Sequence, residues 1–177
     1  MTLDEIEGGS RVFLDSPIFI YHFTGVSADC RRLLERCERR EVRGVTSVIV
    51  LAEVLHRLMT IEAVEQELVA PGNVPAKLRK RPDLVRRLHR YQDQVERVPL
   101  MGIEIESLDL GLLLASSPVR EEHGLLTNDS LVVAAARATG ASAIATADPD
   151  FEGIQGLQVH CPADLQSPTP ASPDPTG

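Results

Sequence analysis

With 177 residues, 43% of them hydrophobic, only 3% aromatic and no tryptophan, the chain is long enough for one sizeable core, which has to be built from Leu, Val, Ile and Ala. It has no run of about eighteen apolar residues, which excludes a helical membrane span, and its acidic start, Met1-Thr2-Leu3-Asp4-Glu5, is unlike a secretory signal, so a cytoplasmic protein is expected. The net charge of −8 argues against a nucleic-acid partner, and Cys30, Cys37 and Cys161 fit neither a CxxC metal site nor a disulfide framework.

Residues 1–10 read as a loose lead-in. Arg11-Val12-Phe13-Leu14-Asp15 then has the pattern of a short buried strand ending in an acid, and Ser16-Pro17 opens a helical turn, proline being suited to a first helical position. Over 29–40 the apolar residues Cys30, Leu33, Leu34 and Cys37 recur at helical spacing, with Arg and Glu on the other face, as in a helix that covers a sheet. Residues 41–46 form the next short strand. Ser47 is placed to cap a helix over 48–59 that continues through 60–70 until Pro71-Gly72-Asn73 breaks it. Within it Glu53 stands alone among Val48, Ile49, Val50, Leu51, Ala52, Val54 and Leu55. Burying that charge is costly unless a cation compensates, either Arg57 one turn on or a metal ion.

A single helix is predicted over 82–97, and here the charge balance reverses: residues 71–97 carry eight bases and three acids. Lys77, Arg79, Lys80, Arg81, Arg86, Arg87, Arg90 and Arg97 can form a phosphate-facing strip on an otherwise acidic body, or simply a solvated helix face. A strand follows over 98–106. Ser107-Leu108-Asp109 opens a helix through Ala115, which Ser116-Ser117-Pro118 ends, and an acidic turn leads to Gly124. Asp129 then heads an otherwise uncharged apolar helix that stops at Gly140; either Asn128 or Asp129 caps it, or Asp129 serves a ligand. A buried strand over 141–147 runs into Thr146-Ala147-Asp148-Pro149-Asp150-Phe151, and 156–161 supplies a last one. The Pro/Ser-rich end, 163–177, has little to bury and reads as a flexible tail.

Short uncharged strands alternating with helices indicate a parallel sheet covered on both faces, where ligands bind beyond the C-terminal strand ends at the reversal of strand order. Asp15 and Asp148 end strands, and Glu53 and Asp129 lie at or near helix starts on the same rim, so the four acids can converge. Carboxylates packed together repel, and an all-oxygen set suits Mg²⁺ or Mn²⁺, which orient and deprotonate water for attack on a phosphodiester. The five histidines show no ligand spacing, and no GxxxxGK[ST] loop is present.

At Val12-Phe13-Leu14-Asp15-Ser16-Pro17, at Thr46-Ser47-Val48-Ile49-Val50-Leu51-Ala52-Glu53, at His123-Gly124-Leu125-Leu126-Thr127-Asn128-Asp129-Ser130-Leu131 and at Thr146-Ala147-Asp148-Pro149-Asp150-Phe151 the chain closely resembles the PIN-domain family. Within that family it is similar to the VapC-like toxins of toxin–antitoxin pairs. The resemblance covers residues 11–162. It implies an α/β fold, a PIN-like α/β/α sandwich with a central parallel sheet, and a Mg²⁺- or Mn²⁺-dependent endoribonuclease. A homodimer and a small antitoxin partner are implied as well. Carried over by position, Asp15, Glu53, Asp129 and Asp148 are the acidic quartet that holds the metal, Ser16 and Thr146 its hydroxyl neighbours, and Asp150 an accessory acid. The helical section at 60–97 is larger than in the compact toxins, and Lys77, Arg79, Lys80, Arg86, Arg87 and Arg90 are candidates for holding RNA. Two other classes compete. One is a non-catalytic PIN-fold module that binds RNA or protein, although the quartet is whole; the other is a phosphatase with Asp15 as nucleophile, against which Pro17 stands where a second acid is needed.

Overall fold

The computed structural model describes residues 1–165, so the Pro/Ser-rich stretch from Ser167 lies outside the described residues. Five strands, β1 (Arg11–Leu14), β2 (Arg43–Ser47), β3 (Glu104–Glu106), β4 (Ala143–Ala145) and β5 (Gln158–His160), form one sheet in the order β3-β2-β1-β4-β5. Every neighbouring pair is parallel. The central strands explain this choice: Val12, Phe13 and Leu14 in β1 and Ala143, Ile144 and Ala145 in β4 are all buried, as strands covered on both faces require. The described helices are α1 (Ser16–Phe23), α2 (Ala28–Glu38), α3 (Val48–Glu65), α4 (Val74–Arg79), α5 (Pro82–Val85), α6 (Arg90–Glu96), α7 (Leu110–His123) and α8 (Thr127–Ala138). The α/β sandwich and the enlarged helical section are therefore as expected.

Helix α2 lies against β2 through Cys37 and Gly44. A Cβ on Gly44 would come within 2.9 Å of the Cys37 Sγ and 3.1 Å of Leu14, so the close approach of helix and strand depends on this glycine. The lead-in is not loose. Leu3 and Ile6 are buried, the Leu3 N–H donates to the Cys161 carbonyl at 3.2 Å, and Thr2 bridges to Cys161 beside β5. Two buried apolar side chains, with hydrogen bonds from Arg36 to the Leu3 and Ile6 carbonyls, fasten a ten-residue segment that polarity alone leaves unassigned.

The section between α3 and β3 departs from expectation. Residues 82–97 form two short helices rather than one, and the cause is Glu62 near the far end of α3. Its carboxylate, 2% exposed, accepts the N–H groups of His89 (3.1 Å), Arg90 (3.3 Å) and Tyr91 (2.9 Å), and the Gln66 side chain at 2.8 Å. A charged acceptor thus caps α6 across the fold and fixes where it begins. Ala63, Val74, Leu78, Leu84 and Leu88 form a small apolar cluster of their own around this junction. The strand expected over 98–106 shrinks to β3, because Val98–Met101 form a 3-10 turn containing Pro99 and Gly102 takes φ +71°. Helix α7 also passes through Pro118 to His123 instead of ending at Ser116. Pro118 and Leu114, whose carbonyl it leaves without an N–H, both lie on the exposed side of the helix.

Candidate functional site

The strand order reverses between β1 and β4, which are neighbours in the sheet although β2 and β3 come between them in the chain. Asp15 follows β1 at that point. Its N–H donates to the Ala145 carbonyl at 3.0 Å, while its carboxylate caps α1, accepting the Ser16 N–H at 2.7 Å on Oδ1. Its Oδ2 accepts the Thr146 hydroxyl at 2.6 Å, and that hydroxyl in turn accepts the Asp148 N–H at 3.0 Å. One threonine side chain therefore sets the spacing between the two strand-end acids. Thr46, which opens one of the four motifs but was not among the expected site residues, ties the neighbouring strand pair: its hydroxyl donates to the Leu14 carbonyl at 2.9 Å. A hydroxyl in a strand-end position was the only sequence signal for it.

Asp129 is the third residue of α8. The residue at the N-cap is Leu126, which makes no side-chain cap, so neither Asn128 nor Asp129 caps this helix, while Asp129 in its first turn meets the positive end of the helix dipole. Glu53 is exposed rather than buried. Among the described residues it makes no ion pair, so the Glu53–Arg57 alternative is not formed either. Val48 and Ala52 on the same part of α3 are exposed as well, because this end of the helix forms the rim of a cleft.

Asp15, Ser16, Glu53, Asn128, Asp129 and Asp148 line that cleft, of about 80 Å³, together with the apolar side chains of Pro17, Ile49, Val50, Val132 and Phe151. It has room for a few waters or a hydrated ion. None of its lining residues is a cation. Burial pushes the Asp15 carboxyl up to about 6; the hydrogen bonds from Thr146 and Ser16 pull the other way, and the charges of Glu53 and Asp148 push it further up. Burial also raises Asp129, with repulsion from Asp148, Asp150 and Glu53 adding to it. Asp150 is exposed and does not line the cleft, but its charge reaches Asp129 and its N–H is held by the Asp148 carboxylate at 2.9 Å.

A cluster of acids without a cation fits a hard divalent ion by its donor chemistry. Among the described residues no three acidic, His or Cys side chains draw close enough to enclose an ion by themselves, so water or substrate oxygens would complete its shell. A roomier cleft, of about 560 Å³, lies elsewhere, at the N-terminal strand ends among Arg11, Arg40, Arg43 and Glu104, and contains none of the quartet.

The basic segment is partly tied up internally. Lys77 Nζ donates to the Ala70 and Pro71 carbonyls at 2.7 and 2.9 Å, Arg90 pairs with Glu65, and Arg81 with Asp83 at 2.9 Å. Arg79, Lys80, Arg86 and Arg87 are exposed and have no carboxylate partner among the described residues. They project from the section docked at Glu62, nine residues or roughly 13 Å along α3 from Glu53.

No helix among the described residues is long and apolar enough to cross a membrane. The family model for the PIN domain matches residues 12–157. A curated relative, ribonuclease VapC2 of Methanocaldococcus jannaschii, is 24% identical over 151 residues, 85% of this chain and 93% of the relative. Among solved structures, VapBC2 of Rickettsia felis bound to a promoter DNA fragment superposes with a TM-score of 0.55 at 18% identity, covering 85% of this chain and 98% of that one. A toxin–antitoxin complex from Klebsiella pneumoniae gives 0.51 at 20% identity, with 82% and 94% covered.

Proposed function

Because the chain belongs to the PIN-domain family, we propose that it is a Mg²⁺- or Mn²⁺-dependent endoribonuclease that hydrolyses RNA phosphodiester bonds, the toxin of a toxin–antitoxin pair. The observation that carries this reading is the cleft itself, in which Asp15, Glu53, Asp129 and Asp148 meet with no cation among the lining residues. Asp15 and Asp148 are the fixed members, locked to each other through Thr146, and Asp129 faces them from the first turn of α8. A bound divalent ion supplies Lewis-acid activation of water and neutralises charge on the leaving oxygen. Asp15 and Asp148 would hold it, with Asp129 completing the set. Glu53, exposed at the rim, is the carboxylate best able to turn toward an incoming water and take its proton. Thermal melting tests the metal part. Mg²⁺ or Mn²⁺ should raise the midpoint of the wild type and leave that of Asp15→Asn unmoved; equal shifts in both would remove Asp15 from the site.

The exposed cations Arg79, Lys80, Arg86 and Arg87 would meet RNA phosphates beyond the cleft. Arg86→Gln with Arg87→Gln should weaken RNA binding uniformly across sequences and reduce the slope of log affinity against log salt by about one unit or more. An unchanged slope would make these side chains a solvated face.

The likeness of the fold to a toxin–antitoxin complex supports a small antitoxin as partner. For a homodimer the support lies in α7, whose Leu110, Leu113 and Leu114 are 68, 42 and 63% exposed on adjoining positions, with Leu126 at 77% just beyond the helix. Replacing Leu113 and Leu114 together by Glu should convert a dimer into a monomer in light scattering. A dimer that survives the change would place the interface elsewhere.

A further inference from the structure

The carboxylate of Asp129 is not fixed by the hydrogen bonds that set Asp15 and Asp148, so its place in the cleft depends on how the first turn of α8 is held. That turn has no N-cap side chain. Beside the apolar packing of the two helices, a polar link joins that turn to α7. The Ser116 hydroxyl donates to the Leu113 carbonyl at 2.7 Å and the Ser130 hydroxyl to the Thr127 carbonyl at 2.8 Å, each within its own helix. Both hydroxyls therefore present lone pairs outward, and the Arg120 Nη1 donates to both, at 2.7 Å to Ser116 and 3.1 Å to Ser130. Both serines are fully buried. Arg120 is half-buried, has no carboxylate partner among the described residues, and joins the two hydroxyls.

We propose that Arg120 is a positioning residue for the carboxylate site: by joining Ser116 of α7 to Ser130 of α8, it fixes the turn that presents Asp129 to Asp15 and Asp148. The inference rests on the reading that these carboxylates hold a divalent ion. Residues that orient metal ligands through hydrogen bonds change affinity by about 10–100-fold when removed. A residue that merely staples two helices would lower the melting temperature and leave the affinity of the folded protein alone.

The test is Mn²⁺ affinity, measured by electron paramagnetic resonance on folded wild type, Arg120→Met, Arg120→Lys, Ser130→Ala and Asp129→Asn. Arg120→Met should weaken Mn²⁺ about tenfold. Arg120→Lys, with an ammonium able to reach one of the two hydroxyls, should lose less. Ser130→Ala should also weaken binding, and combining it with Arg120→Met should add little, because both remove the same link. If Arg120→Met does not fold, Ser130→Ala decides the matter alone. Unchanged affinity in Arg120→Met and Ser130→Ala, with Asp129→Asn still losing the ion, would overturn this inference and leave the site reading intact. Equal Mn²⁺ affinity in wild type and Asp129→Asn would overturn this inference and take Asp129 out of the site, and no binding by wild type would overturn both.

Discussion

Asp15→Asn is expected to abolish RNA cleavage, by about a thousandfold or more, and at the same time to stabilise the metal-free protein at pH 7.5. The two effects have one cause. The Asp15 carboxyl, raised by burial to about 6 from an ordinary value of 3.8, is held ionised at pH 7.5 against the protein's preference, at a cost on the order of 3 kcal/mol. Asparagine carries no charge and removes that cost. It also has one acceptor oxygen where Asp15 uses two, for Ser16 and for Thr146, which returns about 1 kcal/mol. The net gain should raise the melting midpoint by about 4–8 °C for a chain of this length. The pH dependence follows from the same group. Below pH 3.8 Asp15 is protonated both folded and unfolded; as pH rises from there through about 6, the folded state is the one that retains the proton, so stability declines and then levels off. The wild type without metal should show that decline between pH 4 and 6.5, and Asp15→Asn should show less of it. A variant that melts below wild type at pH 7.5, or a wild type with no such decline, would mean that Asp15 is already compensated.

Glu62→Leu should be strongly destabilising although it lies outside the cleft. It leaves the N–H groups of His89, Arg90 and Tyr91 with no acceptor in a partly buried junction, at a cost of about 3 kcal/mol or more. The midpoint should fall by about 6–12 °C, and 71–97 should become the first segment cut in limited proteolysis. Glu62→Gln, which keeps one acceptor oxygen, should fall by less than half as much. Amide exchange at 89–91 that is as slow in Glu62→Leu as in wild type would show that packing around Leu84 and Leu88 holds the section without the carboxylate.

Glu53 and Glu62 together show what the sequence made legible. Both lie on α3 among apolar neighbours. Composition pointed to Glu53 as the buried charge, yet it is exposed, because this end of α3 stands at the rim of the sheet. Glu62 is the buried one, and nothing local could reveal it, since its partners are backbone N–H groups 27 to 29 residues further on. The division of 82–97 into α5 and α6 was hidden for the same reason. Asp15 and Asp148 were readable because each directly follows a short run of uncharged residues and precedes a Pro-containing turn, a pattern with local causes. Asp129 was readable as an oddity, but whether it capped α8 depended on the backbone at Leu126. Pro118 misled because a proline on an exposed helix face can cost one hydrogen bond and a bend without ending the helix. The link from Arg120 to Ser130 pairs residues of ordinary type at ordinary spacing and needed the packing of α7 on α8 to be seen.

The most direct measurement is cleavage of a mixed cellular RNA sample by the purified protein with Mg²⁺, with Mn²⁺ and with EDTA, beside Asp15→Asn. Discrete fragments that need the divalent ion and disappear both in EDTA and in the variant are the expected result. Fragments that persist in EDTA, or that Asp15→Asn produces as readily as wild type, would contradict a carboxylate-held metal as the source of the activity.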